Sequence, residues 1–245
     1  MKRRVIIVQA RMASTRLPGK VLMDIGGKPM LSQQLGRLKR CRRVDDIVVA
    51  TTTNPEDDPV AALADREGVR LFRGSENDVL SRYAGAAREA RAGLVVRITA
   101  DCPLIDAEQV DRVVQALEDG ASEYDYAANT LDRRFPRGLD TETFFIDTLE
   151  RVDRMATSKE AREHVTYFIH EEHPELFRIL SVVDEEDHSD LRWTVDTPED
   201  LLFVRKVYEG LGSAVLNAGY RDILAFVLPR PDLIAINRDV AQKTV

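Results

Sequence analysis

The sequence predicts an α/β protein with a mostly parallel sheet and helices on both faces, and three observations carry that prediction. Val5-Ile6-Ile7-Val8, Ile47-Val48-Val49-Ala50-Thr51 and Leu94-Val95-Val96-Arg97-Ile98-Thr99 are short, mainly apolar runs, the pattern of strands buried on both faces, and Val69-Arg70-Leu71-Phe72 is a shorter strand between the last two. Stretches with apolar residues at helical spacing separate them. Strand followed by helix, four times over, calls for a parallel sheet with right-handed crossovers. The 245 residues are read as a single domain, 1–245, with a small inserted lobe at about 124–190.

The first strand runs into Gln9-Ala10-Arg11-Met12-Ala13-Ser14-Thr15-Arg16-Leu17-Pro18-Gly19-Lys20, where the chain changes character. Arg11, Arg16 and Lys20 bring positive charge, Ser14 and Thr15 bring hydroxyls, and Pro18-Gly19 fixes a bend just before the Lys20 ammonium. A loop of this kind beyond a central strand suits a polyphosphate; a basic surface that merely solvates the strand end is the alternative. Neither a Walker A pattern nor Gly-x-Gly-x-x-Gly is present, so the familiar ATPase and dinucleotide readings lose their main support.

Gly26-Gly27-Lys28-Pro29 makes a turn, and Leu31, Leu35 and Leu38 mark one helix face. Asn54-Pro55-Glu56-Asp57 starts a helix running toward Gly68. Arg73 to Asp78 forms a loop, with Ser75 or Asn77 as cap of the next helix and Asp78 favoured by its dipole. The fourth strand ends in Ala100-Asp101-Cys102-Pro103, and Asp106 opens a helix with Val110, Val113, Val114 and Leu117 on one face. Ligands of such sheets bind beyond the carboxyl ends of the strands, where the basic loop and Asp101 lie.

From about Tyr124 the pattern changes. Residues 124–129 and 178–183 read as strands, and Ile146, Leu149, Val152 and Met155 as a helix face. A second helix from near Ser158 carries Val165, Phe168 and Ile169 on its apolar side. A last strand ends at Asp196, ahead of a helix capped by Thr197 or Asp196 and packed through Leu201, Val204, Val207 and Leu211. His170 and His173 lack zinc-type spacing and read as surface or packing residues.

Arg11 to Lys20 resembles the nucleotide-binding loop of the CMP-sugar synthetases, the cytidylyltransferases that activate acidic sugars such as Kdo and sialic acids. Within that superfamily the chain is similar to the spore coat polysaccharide biosynthesis protein F type over nearly its full length. The resemblance implies a Rossmann-like, nucleotide-diphospho-sugar transferase-like fold. It implies CTP held by Gln9, Ala10, Arg11, Ser14, Arg16, Lys20 and Asp101, with nucleobase contacts largely through backbone near Arg73, Gly74 and Ser75.

The Gly138-Leu139-Asp140-Thr141-Glu142 core is similar to the family's second lobe, which makes Arg137, Asp140 and Glu142 candidates for acceptor-sugar contacts; solvated lobe charges are the alternative. Arg162-Glu163-His164-Val165-Thr166 resembles a stretch of the spore coat group, so Glu163 and His164 line either the acceptor pocket or a homodimer contact. Asp101, at a strand end facing phosphate oxygens, is a natural Mg²⁺ ligand, with capping of the turn before Pro103 as its competitor. Asp-Thr-Pro-Glu-Asp matches the family's second metal segment and assigns Asp196 to Mg²⁺. Asn237 and Gln242-Lys243 also resemble the spore coat group, without a role.

The implied activity is Mg²⁺-dependent transfer of CMP from CTP to a hydroxyl of an acidic or modified sugar, releasing pyrophosphate, for surface polysaccharide biosynthesis. Arg11, Lys20, Asp101 and Asp196 form the catalytic set. The competitors are a metal-dependent glycosyltransferase, which would normally show Asp-x-Asp where this chain has Asp101-Cys102-Pro103, and a non-catalytic nucleotide-binding subunit. A net charge of −7 argues against nucleic acid as partner. The two cysteines, Cys41 and Cys102, give no disulfide framework or zinc site, and Cys102 reads as a small buried side chain. With an apolar run of only four residues after Met1-Lys2-Arg3-Arg4, no signal peptide or membrane span is expected, and the setting is read as cytoplasmic.

Overall fold

β1 (Arg4–Gln9) is the spine of the molecule because its apolar side chains divide between two cores: Ile6 and Val8 enter one, Val5 and Ile7 the other. The computed structural model describes residues 2–242, so Met1 and Lys243 lie outside the described residues. After β1 come a small hairpin, β2 (Asp24–Ile25) and β3 (Lys28–Pro29), and then α1 (Met30–Leu38). Next are β4 (Asp46–Thr52), α2 (Asp58–Arg66), β5 (Arg70–Gly74), α3 (Val79–Glu89), β6 (Leu94–Thr99) and α4 (Ala107–Asp119). The second half holds β7 (Tyr126–Ala128), β8 (Glu142–Phe145), α5 (Ile146–Met155), α6 (Lys159–His164), β9 (Ile179–Ser181), α7 (Pro198–Leu211), α8 (Tyr220–Val227) and α9 (Pro231–Ala235).

The main sheet runs β5-β4-β1-β6-β8-β7-β9. All its ladders are parallel except the two that β8 makes with β6 and β7, so the mostly parallel sheet is as expected. Helices α3, α5 and α6 cover the Val5/Ile7 face, while α1, α2, α4, α7 and α8 cover the other. The chain moves outward from β1 through β4 to β5, then returns to the opposite side of β1 as β6. That reversal leaves a crevice beyond Gln9 and Thr99, which are register partners. Among the described residues no helix is long and apolar enough to cross a membrane.

Several local expectations are corrected. Arg73 and Gly74 finish β5 instead of entering the loop, because they pair with Thr51 and Thr52. Asp78 caps α3 by accepting from the Ser81 backbone N–H (2.9 Å), displacing Ser75 and Asn77 from that role. Thr197 caps α7, with Asp200 closing a capping box. Met155 ends α5 exposed, in a last turn that runs past the core, whereas Leu211, half-buried at the end of α7, packs against the core as expected.

The second helix of the lobe stops early. Val165 takes φ +55° and ψ −61°, and the Thr166 N–H bonds back to the His164 carbonyl (2.5 Å), a γ-turn that a β-branched residue adopts only under constraint. Burial of Val165 and a hydrogen bond from the Thr166 hydroxyl to Glu142 supply that constraint.

The strand expected before Asp196 forms no ladder. Residues 191–196 bend at Thr194 and Asp196 and are joined to the fold by a bridge between Arg137 and Arg192 and by the Val195 N–H donating to the Asp101 carbonyl (2.8 Å). Gly138, at φ +108°, lies against this segment so closely that a Cβ would stand 2.6 Å from Thr194 N and from the Trp193 carbonyl carbon. Gly138→Ala is therefore expected to cost about 3 kcal/mol or more through strain and overpacking, and to disturb the approach to Asp196. Urea denaturation measures it, and an unchanged midpoint would show that the contact is not constraining.

Candidate active site

The basic loop is held at the sheet end by its own backbone. The Gly19 N–H returns to the Met12 carbonyl (2.9 Å), with Gly19 at φ +71°, and the Met12 N–H donates to Asp57 (2.6 Å). Asp57 is itself fixed by the Thr52 hydroxyl. A short helical turn beginning at Lys20 then aims that side chain inward, leaving it 9% exposed.

Lys20 Nζ meets three oxygens: the Val195 carbonyl (2.7 Å), Asp196 Oδ1 (2.9 Å) and Asp101 Oδ2 (3.2 Å). Both predicted metal carboxylates thus converge on one cation. Asp101 also accepts from the Thr99 hydroxyl. Asp196 Oδ2 accepts from Arg192 Nη2 (2.7 Å) and pairs with Arg16 Nη2 (2.9 Å). Burial by itself would raise the Asp101 pKa, but the Lys20 charge and the hydrogen bonds from Thr99 and Lys20 outweigh it and hold the carboxyl below its ordinary value. Lys20 is the mirror case: burial lowers its pKa, the charges of Asp101 and Asp196 raise it, and the net shift is upward.

A buried network stands behind this cluster. Asp200, fully buried, receives Arg192 through Nε (2.8 Å) and Nη2 (3.1 Å) and the backbone N–H groups of Asp196 (2.9 Å) and Thr197 (3.0 Å). Asn237 Nδ2 donates to Asp200 Oδ1 and to the Arg192 carbonyl, both at 2.9 Å. Gln242 accepts from Arg192 Nη1, and the Ala241 carbonyl accepts from Arg16 (3.4 Å). Asn237 and Gln242, singled out in the sequence, therefore lock Arg192, one of the arginines that hold Asp196.

Two adjoining cavities, each about 290 Å³, open over the cluster. Gln9, Ala10, Arg11, Ser14, Arg16, Lys20, Asp101 and Asp196 line the first. Glu163 lines both, and His164 lines the second with Val79 and Arg82. Burial lowers the His164 pKa, against the opposing effect of Glu163, so the ring is held neutral.

The other expected contacts do not reach these cavities. Arg73 turns away to the Thr52 carbonyl (2.7 Å), Asp58 (2.7 Å) and the Asn54 carbonyl (2.8 Å). The Gly74 carbonyl accepts from Thr53 N (3.1 Å), and the Ser75 carbonyl from Arg82 Nη1 (2.6 Å). Arg137 is engaged through its backbone with Leu191 (3.0 Å) and Trp193 (2.6 Å). Asp140 is clamped by Arg133 at 2.6 and 2.9 Å. Glu142 is 7% exposed, opposite Arg97 in the β6–β8 ladder and bonded to it, to the Tyr126 hydroxyl (3.0 Å) and to the Thr166 hydroxyl. Asp140 and Glu142 therefore hold the lobe together, because Arg133 and Arg97 already match their charges inside the protein, and Arg137 joins it through its backbone.

Sequence reasoning passed over Arg82 and Arg192. Both left a signal: Arg82 interrupts an apolar helix face between Val79 and Tyr83, and Arg192, Asp196 and Asp200 recur at helical spacing. Arg82 is 2% exposed, its Nε has no partner, and among the described residues it forms no ion pair. Arg37, equally buried, reaches three carbonyls.

Among the described residues no group of three or more His, Cys, Asp or Glu is arranged to hold a metal. Two carboxylates and a carbonyl remain, all hard oxygen donors, beside a cavity walled by cations suited to a polyphosphate. That set fits Mg²⁺, which takes few protein carboxylates and completes its shell with phosphate and water oxygens.

Residues 5–219 match the family model described as cytidylyltransferase. The chain is 36% identical over 240 residues to an uncharacterised protein of Methanocaldococcus jannaschii, covering 97% of this chain and 96% of that one. It is 34% identical over 213 residues to the spore coat polysaccharide biosynthesis protein SpsF of Bacillus subtilis, covering 84% and 86%. A 3-deoxy-manno-octulosonate cytidylyltransferase of Anaeromyxobacter sp. is 37% identical over 123 residues, 49% of each chain. Among solved structures, a cytidylyltransferase from Leptospira borgpetersenii superposes over the whole of both chains with a TM-score of 0.92 at 33% identity. With a family match over most of its length and a cation-walled cavity at the switch point of its sheet, the chain belongs to the cytidylyltransferase family and is a nucleotidyltransferase.

Proposed function

We propose that this enzyme transfers CMP from CTP to a hydroxyl of an acidic or otherwise modified sugar, releasing pyrophosphate, in a step toward a surface polysaccharide. The observation that carries the reading is the convergence of Arg16, Lys20, Asp101 and Asp196 on the cavity at the ends of β1 and β6. The names of the Bacillus and Anaeromyxobacter relatives support the substrate class.

In this reading Arg11, Arg16 and Lys20 neutralise the β- and γ-phosphates and take up charge on the departing pyrophosphate. The acceptor hydroxyl oxygen forms a bond to the α-phosphorus and gives its proton to water as the bridging oxygen to the β-phosphorus leaves in line as part of pyrophosphate, so positioning and charge stabilisation supply the rate. Asp101 and Asp196 would hold Mg²⁺, which when bound supplies Lewis-acid polarisation of the α-phosphate. Glu163 and neutral His164 face the second cavity as hydrogen-bond acceptors for the sugar hydroxyls. Arg82, a buried arginine that lines the same cavity and forms no ion pair among the described residues, receives the acidic group of the acceptor.

Pyrophosphate release with CTP and a panel of sugar acids tests the reaction. Asp101→Asn and Asp196→Asn are expected to lower kcat by about 10²–10³-fold while the protein stays folded by circular dichroism; wild-type rates would overturn their assignment. Arg82→Lys keeps the charge but loses the planar fork, and is expected to raise KM for the acceptor about tenfold with KM for CTP unchanged. An effect on CTP alone would move Arg82 to the nucleotide.

A further inference from the structure

The ammonium of Lys20 is not where a phosphate-binding lysine would wait. It sits among the Val195 carbonyl and one oxygen each of Asp101 and Asp196, at 2.7, 3.2 and 2.9 Å, so three hard oxygens already surround a cation. We propose that Lys20 is an exchangeable occupant of the divalent-cation position, and that the metal enters only as the triphosphate draws the lysine away.

This inference rests on the reading that Asp101 and Asp196 hold the divalent ion. Mg²⁺ binds oxygen at about 2.0–2.1 Å, so it takes the space between the same carboxylates that the ammonium fills. Two cations cannot share that space, because their repulsion has little solvent to screen it where Lys20 is 9% exposed. Metal alone would have to expel a charged lysine into a cavity already walled by Arg11 and Arg16. A triphosphate reverses the balance: its oxygens give the ammonium a new partner in the first cavity, which Lys20 also lines, and they complete the coordination of the ion. The flexible lysine stem allows the move, whereas Arg16 and Arg192 stay tied to the other oxygen of Asp196.

Mn²⁺ titration followed by electron paramagnetic resonance reads enzyme-bound metal without turnover. The wild-type enzyme is expected to bind Mn²⁺ alone weakly and to take it up when CTP is added without acceptor. Lys20→Met is expected to bind Mn²⁺ without nucleotide about tenfold or more tighter than wild type, since the competing charge is gone. Lys20→Arg, which keeps a cation, retains the block. Loss of the gain on adding Asp101→Asn to Lys20→Met locates the metal. Wild-type binding of Mn²⁺ alone as tight as with CTP overturns the exchange and leaves the metal reading intact, and this comparison stands even if Lys20→Met does not fold. Absence of bound Mn²⁺ in the wild type with CTP overturns the metal reading and the exchange together.

Discussion

One ammonium shared by two carboxylates is the interaction on which the whole carboxyl end of the sheet depends. Lys20 arrives from the loop after β1, Asp101 from the turn after β6, and Asp196 from the segment ahead of α7. Burial penalises each charge on its own, and removing one partner of a buried pair costs about 3–5 kcal/mol when the other stays buried. Together they are stable at neutral pH. The contribution of Asp101, whose pKa is depressed, is present above the ordinary carboxylate value and lost as pH falls through the folded one. That of Lys20, whose pKa is raised, is present below the ordinary lysine value and lost as pH rises through the folded one.

The order of charges around this centre explains why so much of the chain is committed to it. Asp196 faces three cations, Arg16, Lys20 and Arg192, and only Arg192 is anchored from behind by Asp200. Asp200 also caps the start of α7, so one carboxylate fixes the helix, the arginine and the backbone of Asp196. Asn237 and Gln242 bring the far end of the chain onto the same arginine. The geometry of Asp196 is therefore set by helix capping and by the tail, neither of which touches the cavity.

What was legible in the sequence follows from what is local. Buried strands announce themselves by apolar runs, and the Pro18-Gly19 bend by its residue types, so the sheet and the basic loop were readable without a structure. Charge matching between distant segments is not local. Arg137, Asp140 and Glu142 looked available for a sugar because nothing in sequence indicates that Arg133 and Arg97 neutralise two of them. Arg73 is the same case: its partners Asn54 and Asp58 become neighbours only when β5 pairs with β4. Conversely, Arg82 was overlooked because an arginine on an apolar helix face reads as an exception to packing until its unpartnered Nε is visible.

The corrected role of Glu142 still bears on the second cavity, one step removed. Its carboxylate pairs with Arg97 inside the sheet and accepts from the Thr166 hydroxyl, and Thr166 closes the γ-turn at Val165. That turn costs about 1–3 kcal/mol of backbone strain, which only a well-anchored neighbour can offset. Because the turn ends α6 at His164, it decides where Glu163 and His164 stand relative to the cavity. A substitution at Glu142 thus reaches the cavity wall through the backbone, by releasing Thr166 and letting the helix run on. The acidic residue expected to touch a sugar instead holds in place the segment that lines the second cavity, and the charge of Arg97 is already neutralised inside the sheet.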